Sequence, residues 1–135
     1  MPACIICARG KPLDVLAELP ATWVTAAPEA PLPGYVCIVS KAHVTEPFEL
    51  RGEARHRFWD DVSAVAEGVQ AATSATKLNY EIHGNTIPHL HLHLYPRFAG
   101  DPFEGRPIDP NAGPTFCRSC ADLERLRAAI AERAG

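Results

Sequence analysis

His89-Leu90-His91-Leu92-His93-Leu94 alternates imidazole and leucine without a break. Extended backbone sends successive side chains to opposite faces, so a strand would gather the three imidazoles on one face and the three leucines on the other. A helix would scatter both sets. Pro88 and Pro96 bracket the run, and proline fits a strand end far better than a ladder interior. The reading is therefore a strand over 88–96, with a leucine face for the core and an imidazole face for chemistry. A histidine serves as nucleophile, proton carrier or metal ligand near neutral pH.

Working outward, Leu78-Asn79-Tyr80-Glu81-Ile82 reads as a strand and Gly84-Asn85-Thr86 as a turn, which makes an antiparallel hairpin with the histidine strand. Tyr35-Val36-Cys37-Ile38-Val39 reads as a central strand, preceded by a proline-rich loop over 27–34. Two short strands over 15–19 and 22–26 flank a turn at Pro20. Phe58, Val62, Val65, Val69 and Ala72 recur at helical spacing, with Arg55, Asp60, Asp61 and Glu67 off that stripe, so an amphipathic helix is predicted over roughly 51–74. Residues 97–119 carry turn signals only. Ser119 with Asp122 three residues on resembles a capping box and opens a short terminal helix with Leu123, Leu126 and Ile130 on one side. The order of elements predicts an α+β fold on an antiparallel sheet.

With 135 residues the chain is sized for one domain over 1–135, its core over about 4–97 and an irregular tail and helix over 98–135. A formal charge of -3 without a basic block argues against a nucleic-acid polymer as partner. The apolar runs are too short for a bilayer, and Met1-Pro2-Ala3-Cys4 does not read as a secretory signal. A cytoplasmic location, with no membrane partner, is the expectation. In a reducing compartment the pairs Cys4/Cys7 and Cys117/Cys120 suggest metal or redox chemistry before structural disulfides. Cys37 reads as core.

Gly84-Asn85-Thr86-Ile87-Pro88-His89-Leu90-His91-Leu92-His93-Leu94-Tyr95 resembles the signature of the histidine triad (HIT) family, more narrowly its bacterial members similar to diadenosine-polyphosphate hydrolases. Pro96-Arg97, Ser40-Lys41-Ala42-His43 and Leu78-Asn79-Tyr80-Glu81 fall where that family has related segments. The resemblance covers about 4–97. It implies a five-stranded antiparallel sheet with one long amphipathic helix and a short C-terminal helix, usually as a homodimer. An exposed edge strand or the Phe58/Trp59 region would supply the dimer contact. It also implies a nucleotide-phosphate hydrolase or nucleotidyltransferase acting at the α-phosphate, with dinucleoside polyphosphates or nucleoside phosphoramidates as substrates.

On this resemblance His91 is the catalytic nucleophile, forming a nucleotidyl-histidine that water releases. His93 bonds phosphoryl oxygens or assists the leaving group, and His89 supports the site. Asn79, Asn85 and Thr86 match positions that touch the phosphate, and apolar residues near 13–24 and 35–38 would receive the base. His56 and His83 match no role.

The chemistry needs no cofactor, but a bacterial branch of the family implies a structural zinc held by Cys4, Cys7, His43 and His89. Two thiolates and two imidazoles make a closed tetrahedral shell. A four-thiolate set of Cys4, Cys7, Cys117 and Cys120 stands beside it, as does no metal at all. Two other functions remain open: a zinc metalloprotein using His91 and His93, and a nucleotide-binding module without turnover.

Overall fold

A computed structural model describes residues 4–134. The described residues open with a short helix α1 (Ile5–Arg9), then form strands β1 (Val15–Glu18), β2 (Thr22–Thr25), β3 (Glu29–Ala30) and β4 (Val36–Ser40). The long helix α2 (Gly52–Thr73) follows, then β5 (Lys77–Ile82), β6 (His91–Arg97), β7 (Phe116–Cys117) and helix α3 (Cys120–Arg133). Five strands build an antiparallel sheet in the order β1-β2-β4-β6-β5, and β3 pairs with β7 separately. No helix among the described residues is long and apolar enough to cross a membrane.

The alternation works as the sequence suggests within β6. Leu92 and Leu94 turn inward and join Val24, Val36 and Ile38 of the neighbouring strands under Phe58, Val62, Val65 and Val69 of α2. This apolar burial drives α2 onto the sheet. Three details differ from the sequence reading, the first being that the loop over 27–34 and the turns over 97–119 contribute β3 and β7, which pair with each other. The segment around Cys4 and Cys7, which the sequence suggests is a loop, is helical: Cys4 caps α1 and Gly10 ends it in the left-handed conformation. Asp61, which the helical pattern assigns to solvent, is buried and accepts hydrogen bonds from the Ala21 N–H (2.8 Å) and the Thr22 hydroxyl (3.0 Å). It ties α2 to the turn between β1 and β2.

Leu126 and Ile130 of α3 complete the core against α2. The two helices meet at Gly68, where a Cβ would lie 2.8 Å from the Ile130 Cα and 2.9 Å from its nitrogen. Those are backbone atoms that cannot rotate away. Gly68→Ala is therefore expected to lower stability by about 1–2 kcal/mol, since overpacking costs more than the helix-propensity gain returns. Urea denaturation of the two proteins measures it, and an unchanged midpoint would contradict the close approach.

Candidate active site and metal cluster

β6 begins at His91, so the triad divides into two environments. His89 lies in the bend before the strand, where Leu90 donates its N–H to the Val44 carbonyl and not to a sheet neighbour. This corrects the expectation of three imidazoles on one strand face. His91 and His93 do share the face opposite the leucines, their ring centroids 5.1 Å apart and nearly perpendicular. Across from them stand Val39 and Cys37 of β4, with Glu81 of β5 opposite His93 on the other side.

Each imidazole has one nitrogen tied to a fixed partner. His89 Nε2 lies 2.6 Å from the Ser40 carbonyl oxygen, and His91 Nδ1 lies 2.6 Å from the His89 carbonyl oxygen. A carbonyl only accepts, so these nitrogens carry the protons. The free nitrogens, Nδ1 of His89 and Nε2 of His91, then present lone pairs. His93 is held differently. Its Nδ1 lies 2.8 Å from the Tyr35 hydroxyl, and Tyr35 and Tyr95 stack parallel to its ring. Burial, with His91 and His83 nearby, pushes the His93 pKa down to about 4, so the ring is neutral at ordinary pH.

The lone pair of His89 points into a cluster. Its Nδ1 lies 3.3 Å from the Cys4 sulfur, 3.7 Å from the Cys7 sulfur and 3.1 Å from His43 Nδ1, which is itself 3.4 Å from the Cys7 sulfur. A tetrahedral Zn²⁺ shell has edges of about 3.3 Å between nitrogens and about 3.6 Å between sulfur and nitrogen, given its bond lengths. The donor set therefore fits a closed metal shell in both chemistry and spacing. Burial pushes the Cys4 thiol up. The N–H groups of Cys7 and Ile6 and the Cys7 thiol outweigh that effect and hold it below its ordinary value, while Cys7 is raised by bonding to Cys4. Among the described residues this is the one group of side chains spaced to hold a metal. Cys117 and Cys120 are exposed and lie outside it; His91 and His93, which are partly buried, also lie outside it. Among the described residues, neither the four-thiolate set nor His91 and His93 with a third ligand is gathered into such a group.

The remaining sequence-derived residues fall as follows. Asn85 and Thr86 are exposed in the bend between β5 and β6. Asn79 stands opposite Tyr95, on the histidine face of the sheet, and accepts a hydrogen bond from Arg97 (2.8 Å). Arg97 also forms an ion pair with Asp101 and donates to the carbonyls of Phe103 and Arg106. Its guanidinium, with the N–H groups of Phe98 and Phe103, brings the Asp101 carboxyl down to about 2. Asn79 and Arg97 therefore pin the loop that follows β6. Of the stretches expected to receive a base, Val24, Val36 and Ile38 are sealed in the core on the far side of the sheet. His56 is exposed on α2.

Two neighbours of the site escape the sequence reading. His83 pairs with Glu81 at 2.9 Å and sets its ring 5.7 Å from that of His93. Tyr35 contacts His93 from 58 residues away. The available signal was parity, because Tyr35 stands two residues before Cys37 and so on its face of the sheet.

The HIT domain family model matches residues 9–100. Solved structures sharing the fold include a histidine triad protein from Bradyrhizobium japonicum at 22% identity and a TM-score of 0.76, covering 90% of each chain. Another from Marinobacter aquaeolei has 26% identity and a TM-score of 0.75, again over 90% of each chain. A Zn-bound histidine triad family protein from Mycobacterium smegmatis has 21% identity and a TM-score of 0.69, covering 96% of this chain and 94% of that one. No curated protein is significantly similar to the chain.

Proposed function

The chain belongs to the HIT domain family, and we propose on that premise that it hydrolyses or transfers nucleotides through a covalent nucleotidyl-His91 intermediate. The observation that carries this reading is the 2.6 Å contact between His91 Nδ1 and the His89 carbonyl, which fixes a proton on Nδ1 and leaves Nε2 to serve as the nucleophile. That nitrogen attacks the α-phosphorus, and the bond from phosphorus to the leaving group breaks with its electron pair departing on the leaving group. Water then cleaves the phosphorus–nitrogen bond, releases a nucleoside monophosphate and restores His91.

Hydrogen-bond donors beside the nucleophile stabilise charge that builds on the phosphoryl oxygens. His93 is one; Asn85 and Thr86, on the adjoining bend, are proposed as the others. Asn79, whose Oδ1 is held by Arg97, keeps its amide N–H donors and is proposed as a further phosphate contact. Dinucleoside polyphosphates and nucleoside phosphoramidates are the substrate classes. A cytoplasmic location is part of the same proposal.

A structural zinc is proposed on Cys4, Cys7, His43 and His89, supported by their spacing and by the Zn-bound relative. Bound there, it would clamp α1 to the bend that carries His89, the residue whose carbonyl orients His91. It would serve packing and not the chemical step. A homodimer is proposed through the β5 edge, where Tyr80 and Ile82 are exposed.

The enzymatic reading is tested by incubating the protein with diadenosine tetraphosphate and with adenosine 5′-phosphoramidate and following release of adenosine monophosphate. Accumulation is expected. No nucleoside monophosphate from either substrate, or from their guanosine counterparts, would refute it.

A further inference from the structure

We propose that Tyr35 is a positioning residue of this site: its hydroxyl donates to Nδ1 of His93 and holds that imidazole with its proton on Nε2. The proposal rests on the nucleotidyl-transfer reading for its catalytic consequence and on the geometry alone for the proton's place.

The Tyr35 hydroxyl lies 2.8 Å from His93 Nδ1 and also has the Tyr95 hydroxyl beside it. A neutral imidazole nitrogen accepts a hydrogen bond more strongly than a phenol oxygen does, so the Tyr35 O–H is directed at His93 Nδ1 rather than at the Tyr95 oxygen. The opposite arrangement, with His93 donating to the phenol oxygen, would turn the phenol proton to the weaker acceptor and leave a lone pair on Nε2. Burial together with Cys37 and Tyr95 raises the Tyr35 hydroxyl far above its ordinary pKa, so it stays a donor. With Nδ1 occupied, Nε2 is the free corner of the ring.

The consequence is a complementary pair. His91 offers a lone pair to phosphorus, and His93 offers an N–H to the oxygens around it. Were His93 in the other tautomer, two lone pairs would face an anionic phosphoryl group, which is repulsive in both ground and transition states.

The chain holds Tyr35 with several devices. Gly34, at φ 83°, turns the backbone just before it, in a conformation that side chains disfavour. Tyr95 stacks on the Tyr35 ring at 4.7 Å and 14°. Leu32, Phe103 and Ile108 pack with these two tyrosines as a second small core. Arg118, just after β7, donates to the carbonyls of Ala27 and Tyr35. Phe103, Ile108 and Arg118 all lie beyond the segment matched by the family model, so part of the C-terminal tail acts to buttress Tyr35 and, through it, His93.

The test is long-range proton–nitrogen correlation on protein labelled with ¹⁵N-histidine at neutral pH, the His93 signals identified by a His93→Asn variant. The native protein is expected to show His93 protonated at Nε2, and Tyr35→Phe to show that preference lost, with near-ultraviolet circular dichroism unchanged. On diadenosine tetraphosphate, Tyr35→Phe should lower kcat about 10–100-fold, the usual cost of losing a partner that orients a reacting group, with KM within about threefold. A native His93 protonated at Nδ1, a tautomer unaffected by Tyr35→Phe, or an unchanged kcat would each overturn the proposal. Failure of the nucleotidyl-transfer reading shows separately, as a native protein that turns over no phosphate probe whatever the His93 spectrum.

Discussion

His91→Ala is expected to reduce turnover of nucleotide substrates by about four to six orders of magnitude, the scale seen when the group that forms a covalent bond is removed. The fold should survive. The His91 side chain is only partly buried and makes its one hydrogen bond to a backbone carbonyl, and the leucines that build the core lie on the opposite face of β6. Nucleotide affinity should change far less than turnover, because the donors proposed around the phosphate are untouched. Comparing steady-state rates with equilibrium binding of a non-hydrolysable analogue separates the two effects. Turnover within tenfold of native would mean that another group attacks phosphorus.

Removal of the proposed zinc is expected to produce the largest loss of stability. A metal held at about 1,000 times its dissociation constant contributes about 4 kcal/mol to the folded state, and for a chain of this size that corresponds to roughly 10–15 °C in Tm. Chelator treatment should therefore lower the melting temperature by that amount, and added Zn²⁺ should restore it. Cys7→Ser should show a low melting temperature from the start and no response to chelator. Cys7 is exposed and lies outside the apolar core, so a lost melting temperature there reports the metal and not packing. Metal analysis showing no zinc in carefully prepared protein, with no shift on adding it, would remove the site.

Local chemistry made β6 legible. The alternation that sends Leu92 and Leu94 inward and His91 and His93 outward is a property of extended backbone, visible in the letters alone. The same alternation misled at His89, because a period of two does not say where a strand begins. There the chain leaves the ladder, and the side chain turns to Ser40 and the two cysteines. Asp61 was misread for the opposite reason: a carboxylate on a helix reads as solvent-facing until its partner, the Ala21 N–H, is known. Contacts across long separations were the hardest to see. The proximity of Cys4 and Cys7 to His43 and His89 was reachable only through the family resemblance, and parity with Cys37 puts Tyr35 on the histidine face without announcing its hydrogen bond to His93. Residues 98–118, which carry turn signals and little else in sequence, acquire meaning only as the support behind Tyr35.

The most direct test of the central claim is the intact mass of the protein quenched without acid during reaction with diadenosine tetraphosphate. Native protein is expected to carry the added mass of one adenosine monophosphate, and His91→Ala to carry none. An adduct that persists in His91→Ala, or turnover by the native protein with no adduct at any time, would contradict a covalent mechanism at His91.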